Sequence, residues 1–253
     1  MEFLTLDTWG MVLALLMGFL FIFFGLATDT LFFFLTAMVT FLVLSAVVTY
    51  IGGRYKKKFK IGQEPRGAKN VLANGIPPLI MAIIVFATSS VGSGNMFNVH
   101  IGLAAIVGFI ASVAGMTADK FSSEIGVLNG NPRMIFTWKK VRKGTSGGIS
   151  GFGLVAGILG AFLISLLVFA LSSGISIWPN IPIAVSLQSL HQFIIFPNTI
   201  LLIIIITLSG FLGTIVDSMF GYYEEKGIGN KYTSNFFCGV AAGLIAMAMV
   251  LLI

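Results

Sequence analysis

Long uncharged stretches are the feature that most limits how this chain can fold. Asp, Glu, Lys and Arg are absent from residues 8–28, 30–53, 70–118, 144–216 and 232–253. A helix of about 20 apolar residues spans the hydrocarbon core of a bilayer, where every backbone polar group must find a partner within the protein. The pattern therefore predicts an all-α fold, a polytopic integral membrane helical bundle.

Seven spans fit these stretches, because polar or proline-containing segments divide the two longest ones. No remaining segment is long enough to build a core of its own, so residues 1–253 are predicted to form a single transmembrane domain. The predicted spans lie near residues 9–27, 31–51, 71–88, 100–118, 150–172, 199–220 and 234–253.

The basic residues indicate how these spans are oriented. All 15 follow the second, fourth or sixth predicted span. Seven spans place these three segments on one side, and the positive-inside rule makes that side cytoplasmic. We therefore expect a multi-pass protein with a cytoplasmic N-terminus, an external C-terminus and a site at the cytoplasmic face. In an alternative topology, residues 181–196 form an eighth span, which would move Asp217 and Lys231 to the opposite side.

Carboxylates stand at the ends of two predicted spans, where charge in a membrane protein usually has a functional reason. Asp119 follows the fourth span, and Asp217 lies at the end of the sixth. Glu124 lies about 140° from Asp119 on a straight helix and joins its site only if the helix ends or bends there. Mg²⁺ prefers oxygen ligands, so Asp119, Glu124 and Asp217 are the predicted metal ligands. In the structural alternative, Asp119 pairs with Lys120 or Arg133 at a helix end.

Hydroxyl and amide side chains accompany these carboxylates. Ser122 and Ser123 share a helical face with Asp119, since they follow it at i+3 and i+4. Asn70 and Asn74 have i, i+4 spacing at the start of the third span, so their amides can contact a nucleotide base, a ribose or a metal ion. Alternatively, the two asparagines cap the helix and bond to each other.

A glycine-rich turn leads from a basic loop into the fifth span. Such a turn at a helix N-terminus offers backbone N–H groups and the positive end of the helix dipole, which favour phosphate binding. The sequence has no Walker A pattern, and close helix packing is the alternative role for these glycines. The turn consists of Gly144, Thr145, Ser146, Gly147 and Gly148.

Four blocks of residues, in order along the chain, resemble the motifs of one family. Residues 70–75 are similar to N-V-L-A-N-G, and residues 118–126 to A-D-T-x-x-S-E-(I/L)-G, with Lys120 where Thr is common. Residues 132–133, 140 and 144–150 are similar to P-R…K…G-T-(N/S)-G-G-(V/I)-(S/T). Residues 210–221 are similar to G-x-x-G-(S/T)-x-x-D-S-x-x-G. The family is an integral membrane group, long described as a domain of unknown function, that includes vertebrate transmembrane protein 19 and the plant phytyl-phosphate kinase.

This resemblance implies transfer of the γ-phosphoryl group of a nucleoside triphosphate to an isoprenoid monophosphate (phytyl, geranylgeranyl or polyprenyl phosphate), which gives the diphosphate. A link to CTP-using lipid kinases points to CTP as the donor and Mg²⁺ as the cofactor. Mg²⁺ on the three carboxylates would bridge the donor phosphates, while Arg133 and Lys140 hold the transferring group. The residues expected to contact nucleotide or phosphate are Asn70, Asn74, Ser122, Ser123, Gly144, Thr145, Ser146, Gly147, Gly148 and Ser218.

Two other functions fit parts of the same pattern. A transporter or flippase of an anionic lipid or small anion would explain charge-free spans containing glycine and proline, but its polar residues would be expected near the bilayer midplane. A CDP-lipid synthase-like nucleotidyl transferase would use the same donor and release pyrophosphate. The expected partners are the nucleotide, the isoprenoid phosphate and the lipid bilayer; no nucleic acid and no particular oligomeric state are implied.

Overall fold

The computed structural model describes residues 7–58, 67–90, 96–128, 131–175 and 196–253, and residues 181–195 of the alternative eighth span lie outside them. The described residues form seven long helices and one short two-stranded sheet. The elements are α1 (Thr8–Ala27), α2 (Leu31–Lys58), α3 (Ala68–Ser90), α4 (Met96–Ile125), β1 (Arg133–Met134), β2 (Gly148–Ile149), α5 (Gly151–Ile175), α6 (Phe196–Glu224) and α7 (Lys231–Leu251).

All seven of these helices are long and apolar enough to cross a membrane. The predicted polytopic all-α bundle is therefore confirmed. Several helices continue past the predicted spans, and α2, α4 and α6 end at Lys58, Ile125 and Glu224. Their polar last turns remain helical, although the absence of charge that marks a span in the sequence ends before them. As a result, Asp119 and Glu124 lie in one continuous helix rather than in a loop after it.

Helix α4 is the centre of the bundle and packs against α2, α3, α5, α6 and α7. It is buried around most of its circumference, because small residues face its neighbours. Gly108 lies against Met81 of α3 and Gly243 of α7. Close packing of small residues drives helix association in lipid, where the hydrophobic effect contributes little between helices. Helix α1 packs outside this group, against α2 and α3.

Hydroxyl groups join the packed helices. The Ser112 hydroxyl on α4 donates a hydrogen bond of 2.8 Å to the carbonyl oxygen of Gly239 on α7. On α5 and α6, the hydroxyl oxygens of Ser165 and Thr207 lie 3.1 Å apart. Such bonds contribute modestly to stability in a membrane. Because they are directional, they also specify the axial position of each helix relative to its neighbour.

The segment between α4 and α5 folds into a small cap at one end of the bundle. Strands β1 and β2 pair antiparallel, with Arg133 opposite Ile149. The Phe136 ring meets the Tyr222 ring of α6 edge-on, with centroids 4.9 Å apart. Gly147 lies so close to the end of α6 that a Cβ atom there would come within 2.5 Å of the backbone nitrogen of Tyr222.

The cap also reaches α2. The Lys143 ammonium donates hydrogen bonds to the Tyr55 hydroxyl on α2, at 3.2 Å, and to the carbonyl oxygen of Val127, at 3.0 Å. The C-terminal ends of α2, α4 and α6 therefore lie together, and the basic residues lie near or after these ends. The assignment of this end to the cytoplasm stays a prediction.

We expect Gly213→Ala to destabilise the protein. A Cβ atom at Gly213 would lie 2.7 Å from the carbonyl oxygen of Cys238 and 2.9 Å from Cβ of Ala242. Overpacking of this kind costs about 1–3 kcal/mol, so the midpoint of thermal unfolding in detergent should fall. Gly18→Ala is the matched control, because nothing lies within 4 Å of a Cβ atom there; an equal fall in both variants would contradict the packing argument.

We expect Gly147→Ala to detach the cap from α6. Gly147 has φ of +72°, and an added methyl group would meet backbone atoms of α6. Trypsin should then cleave faster at Lys139, Lys140 and Arg142. Gly227→Ala shares the backbone strain, since φ is +80° there, but nothing lies within 4 Å of its Cβ position. Equal cleavage of the cap in both variants would show that the contact does not hold it.

Candidate functional site

Two carboxylates from different helices converge on one ammonium group. Nζ of Lys231, the first residue of α7, lies 3.1 and 3.3 Å from the two carboxylate oxygens of Asp217 on α6. It also lies 3.8 Å from Oδ1 of Asp119 on α4. The side chains of Asp217, Asp119 and Lys231 are 7%, 17% and 34% exposed. The structure thus brings together the two predicted aspartates and adds a lysine between them.

Glycines one turn before each aspartate allow this convergence. Gly115 precedes Asp119 by four residues, and Gly213 precedes Asp217 by four. A Cβ atom at either glycine would lie 2.9 Å from Cβ of Ala242 on α7. The backbones of α4 and α6 therefore approach α7 closely just before their carboxylates, which fixes the separation of the two acids through well-packed helices.

The predicted asparagines of α3 lie on the face that meets this site. Asn70 and Asn74 share a helical face with Pro77, which contacts Gly239 of α7. The Asn74 amide donates hydrogen bonds to the backbone and side-chain oxygens of Asn70, at 2.8 and 2.5 Å. The two asparagines therefore bond to each other on the face of α3 that contacts α7.

Asn235 of α7 carries a buried side-chain oxygen one turn after Lys231. It follows Lys231 by one turn and precedes Gly239 by one turn, so it lies on the side of α7 that faces α3. Its Oδ1 atom is buried and has no hydrogen-bond partner in the part of the chain that the structure describes. A buried polar atom of this kind generally marks a place that another polar group fills.

An open groove of about 440 Å³ lies near the end of α7 that pairs with the two aspartates, and neither aspartate lines it. It lies between the start of α3 and the start of α7, and two of its residues, Asn230 and Tyr232, flank Lys231 in sequence. Its walls are mostly apolar, with polar groups toward the helix ends. The lining residues are Lys69, Leu72, Ala73, Asn230, Tyr232, Thr233 and Phe236.

The structure does not bring Glu124 to the aspartate pair. Its carboxylate forms an ion pair of 3.0 Å with Lys120, one turn earlier on α4. The side chain packs on α2, where a Cβ atom at Gly52 would meet Oε2 of Glu124 at 2.6 Å. The reason is the helical phase: α4 continues to Ile125, so Glu124 remains on a different face from Asp119.

The two predicted serines of α4 bond within the protein. The Ser122 hydroxyl donates to the carbonyl oxygen of Gly153 at 2.8 Å, which ties α4 to the start of α5. The Ser123 hydroxyl donates to the carbonyl oxygen of Lys120, three residues earlier, at 3.2 Å. Both hydroxyl groups therefore have structural partners rather than standing free for a nucleotide.

The predicted phosphate-binding turn is occupied by acidic side chains of its own chain. The Ser146 backbone N–H donates to the Glu225 carboxylate at 3.0 Å, and its hydroxyl donates to the Glu224 carboxylate, also at 3.0 Å. The Gly148 N–H donates to the Thr145 carbonyl oxygen within the turn. The turn thus binds a carboxylate in the manner expected for an anion. Gly144 has φ of +88°, a conformation that glycine adopts without strain.

The remaining predicted residues lie at the surface of the cap or beside it. Arg133 is exposed, and its guanidinium donates to the carbonyl oxygen of Trp138 at 3.0 Å. Lys140 is exposed and forms a backbone bridge with Arg133. The carbonyl oxygen of Ser218 lies against Gly147, so the residue after Asp217 joins the carboxylate helix to the glycine-rich turn.

The donor chemistry of the aspartate pair fits a divalent cation. The described residues contain no group of three or more His, Cys, Asp or Glu side chains placed to hold a metal ion, so the predicted three-carboxylate set is not formed. Asp119 and Asp217 already share a cation, and Mg²⁺ is commonly held by one or two carboxylates together with substrate phosphates. The oxygen of Asn235, one turn after Lys231 on α7, is a third candidate ligand.

Lys231 and Asn235 were not among the predicted site residues. In the sequence, Lys231 serves only to indicate the orientation of the spans. A signal was present, because Lys231, Ser234 and Asn235 follow one another at i, i+3 and i+4 at the start of the last uncharged stretch. That spacing puts the three side chains on one helical face at the boundary where Asp119 and Asp217 stand.

Comparisons with known proteins place the chain among membrane proteins. Residues 2–249 match the family model described as integral membrane protein DUF92. An uncharacterized membrane protein of Methanocaldococcus jannaschii is 33% identical over 96% of this chain and 84% of its own length. Protein PGR of Arabidopsis thaliana is 33% identical over 47% of this chain and 37% of its own length. No solved structure matches the chain significantly. The chain therefore belongs to the DUF92 family of integral membrane proteins.

Proposed function

We propose that this protein is a membrane-embedded kinase. It transfers the γ-phosphoryl group of a nucleoside triphosphate to an isoprenoid monophosphate, with CTP as the proposed donor. The observation that carries the proposal is the convergence of Asp119 and Asp217 on one cation at the basic end of the bundle. The residue blocks that resemble the phytyl-phosphate kinase group supply the reaction type.

The chemistry demands little more than positioning and charge neutralisation. The acceptor is already an anionic phosphate, so its attacking oxygen requires no strong general base. Asp119 and Asp217, with the oxygen of Asn235, would hold Mg²⁺, which supplies charge neutralisation at the donor phosphates. The basic cap residues Arg133 and Lys140 would attract the nucleotide and orient its phosphates.

The acceptor would occupy the groove between α3 and α7. Leu72, Ala73 and Phe236 provide apolar walls for isoprene units, while Lys69 can pair with the acceptor phosphate. The groove lies at the starts of α3 and α7, and Lys231 is the first residue of α7. An isoprenoid chain in this groove would need no transfer through water.

The position of the charges favours an enzyme over a transporter. Asp119 and Asp217 lie about two turns before the C-terminal ends of α4 and α6, whereas transporters usually bind their substrates near the bilayer midplane. The CDP-lipid synthase-like alternative would use the same groups and differs only in which phosphorus of the nucleotide is attacked. The products of a single reaction separate these two activities.

The direct test uses purified protein in lipid nanodiscs with Mg²⁺, geranylgeranyl phosphate and CTP labelled at the γ-phosphorus. We expect label to appear in geranylgeranyl diphosphate. Labelled pyrophosphate together with a cytidylyl-lipid product would instead establish a nucleotidyl transferase. With neither product formed, uptake of the lipid phosphate into sealed vesicles would identify a transporter. ATP in parallel reactions reports the nucleotide preference.

We expect Asp119→Asn and Asp217→Asn each to lower the turnover number by roughly 100-fold or more, in the range measured for loss of one transition-state electrostatic contact. Both variants should still insert into membranes. Asp29→Asn is the matched control, because Asp29 lies in the exposed turn between α1 and α2 and its φ of +57° suits asparagine. Undiminished turnover in Asp119→Asn would remove this residue from the proposed site.

A further inference from the structure

The ammonium group of Lys231 lies where a metal ion would be expected. It is within 3.3 Å of both Asp217 oxygens and within 3.8 Å of Asp119. One ammonium cannot neutralise two ionised carboxylates, so with both ionised the three groups together carry one negative charge. Since these carboxylates are only 7% and 17% exposed, water screens that excess charge poorly.

The three members of the cluster differ in their freedom to move. Asp119 and Asp217 are short side chains on helices held against α7 by Gly115 and Gly213. Lys231 has a long side chain at the first position of its helix, and it is the most exposed of the three. If the cluster rearranges, Lys231 is therefore the group that moves.

We propose that Lys231 is a displaceable counter-ion that occupies the place of the divalent cation until the nucleotide arrives. This inference rests on the proposed function. Displacing Lys231 costs the free energy of its two ion pairs, so a divalent ion alone binds weakly. A nucleotide brings phosphates to which the displaced ammonium can donate instead. Metal and nucleotide should therefore each tighten the binding of the other.

The arrangement protects the site when substrate is absent. While Lys231 lies between the two carboxylates, its positive charge offsets theirs enough for the protein to stay folded at the membrane boundary. A divalent ion is retained only together with the nucleotide phosphates that it has to bridge. Lys231 would then turn from a partner of the carboxylates into a phosphate ligand, which is a positioning role rather than a chemical one.

The test measures Mn²⁺ binding by electron paramagnetic resonance to the detergent-solubilised full chain, without lipid acceptor. We expect Lys231→Gln to bind Mn²⁺ about 10-fold or more tightly than the wild type in the absence of CTP, a coupling in the usual allosteric range. Adding Asp217→Asn to this variant should abolish the gain. Lys226→Gln removes the same charge from the exposed turn before α7 and should bind Mn²⁺ as the wild type does.

A second variant keeps the test decisive if Lys231→Gln fails to fold. Lys231→Arg retains the charge, but a guanidinium binds a carboxylate through two parallel hydrogen bonds and is harder to displace. We expect CTP to tighten Mn²⁺ binding at least 10-fold in the wild type, within the usual allosteric range, and much less in Lys231→Arg. The inference is overturned if Lys231→Gln binds Mn²⁺ as weakly as the wild type, or if Lys231→Arg keeps the full effect of CTP.

These outcomes are separable from failure of the proposed kinase activity. Tighter Mn²⁺ binding by Lys231→Gln with no lipid diphosphate formed by the wild type would support the counter-ion and reject the kinase. Lipid diphosphate formed by the wild type with unchanged Mn²⁺ binding in Lys231→Gln would support the kinase and reject the counter-ion.

Discussion

The close approach of α4, α6 and α7 is the constraint on which the rest of the structure depends. Gly115 and Gly213 remove the side chains that would hold these helices apart, and Ala242 fills the space between them. In lipid, such contact replaces the hydrophobic effect as the force between helices. Because each glycine lies one turn from an aspartate, the packing that stabilises the bundle also sets the distance between the two carboxylates.

The spans could be predicted from sequence because the physics behind them is local. Excluding charge from about 20 successive residues leaves a pattern that needs no knowledge of neighbours. The helix ends were less predictable, since α4 and α6 continue into polar residues that carry no such pattern. Asp119 and Asp217 were predicted to share a site because both stand at the same boundary, and the structure brings them together.

The partners of the site residues could not be predicted, because they depend on how helices are rotated against each other. Glu124 lies about 140° around α4 from Asp119, which is enough to direct it to α2. The glycine-rich turn has the form expected for an anion site, yet the anion that it binds is Glu225 of its own chain. The pairing of Lys231 with Asp119 and Asp217 was unpredictable for the same reason, since it depends on how α7 packs against α4 and α6.

The location of Lys231 at the start of α7 has an electrostatic consequence. The N-terminal end of a helix carries about half a positive charge from its aligned peptide dipoles, and a lysine there is repelled by its own helix. Asn230 already caps this end by accepting hydrogen bonds from the backbone N–H groups of Tyr232 and Thr233. The helix dipole and the ammonium thus direct positive potential at the same two aspartates. Neutralising those aspartates would therefore destabilise the first turn of α7. The stability of that helix end thus depends on the charge of the site.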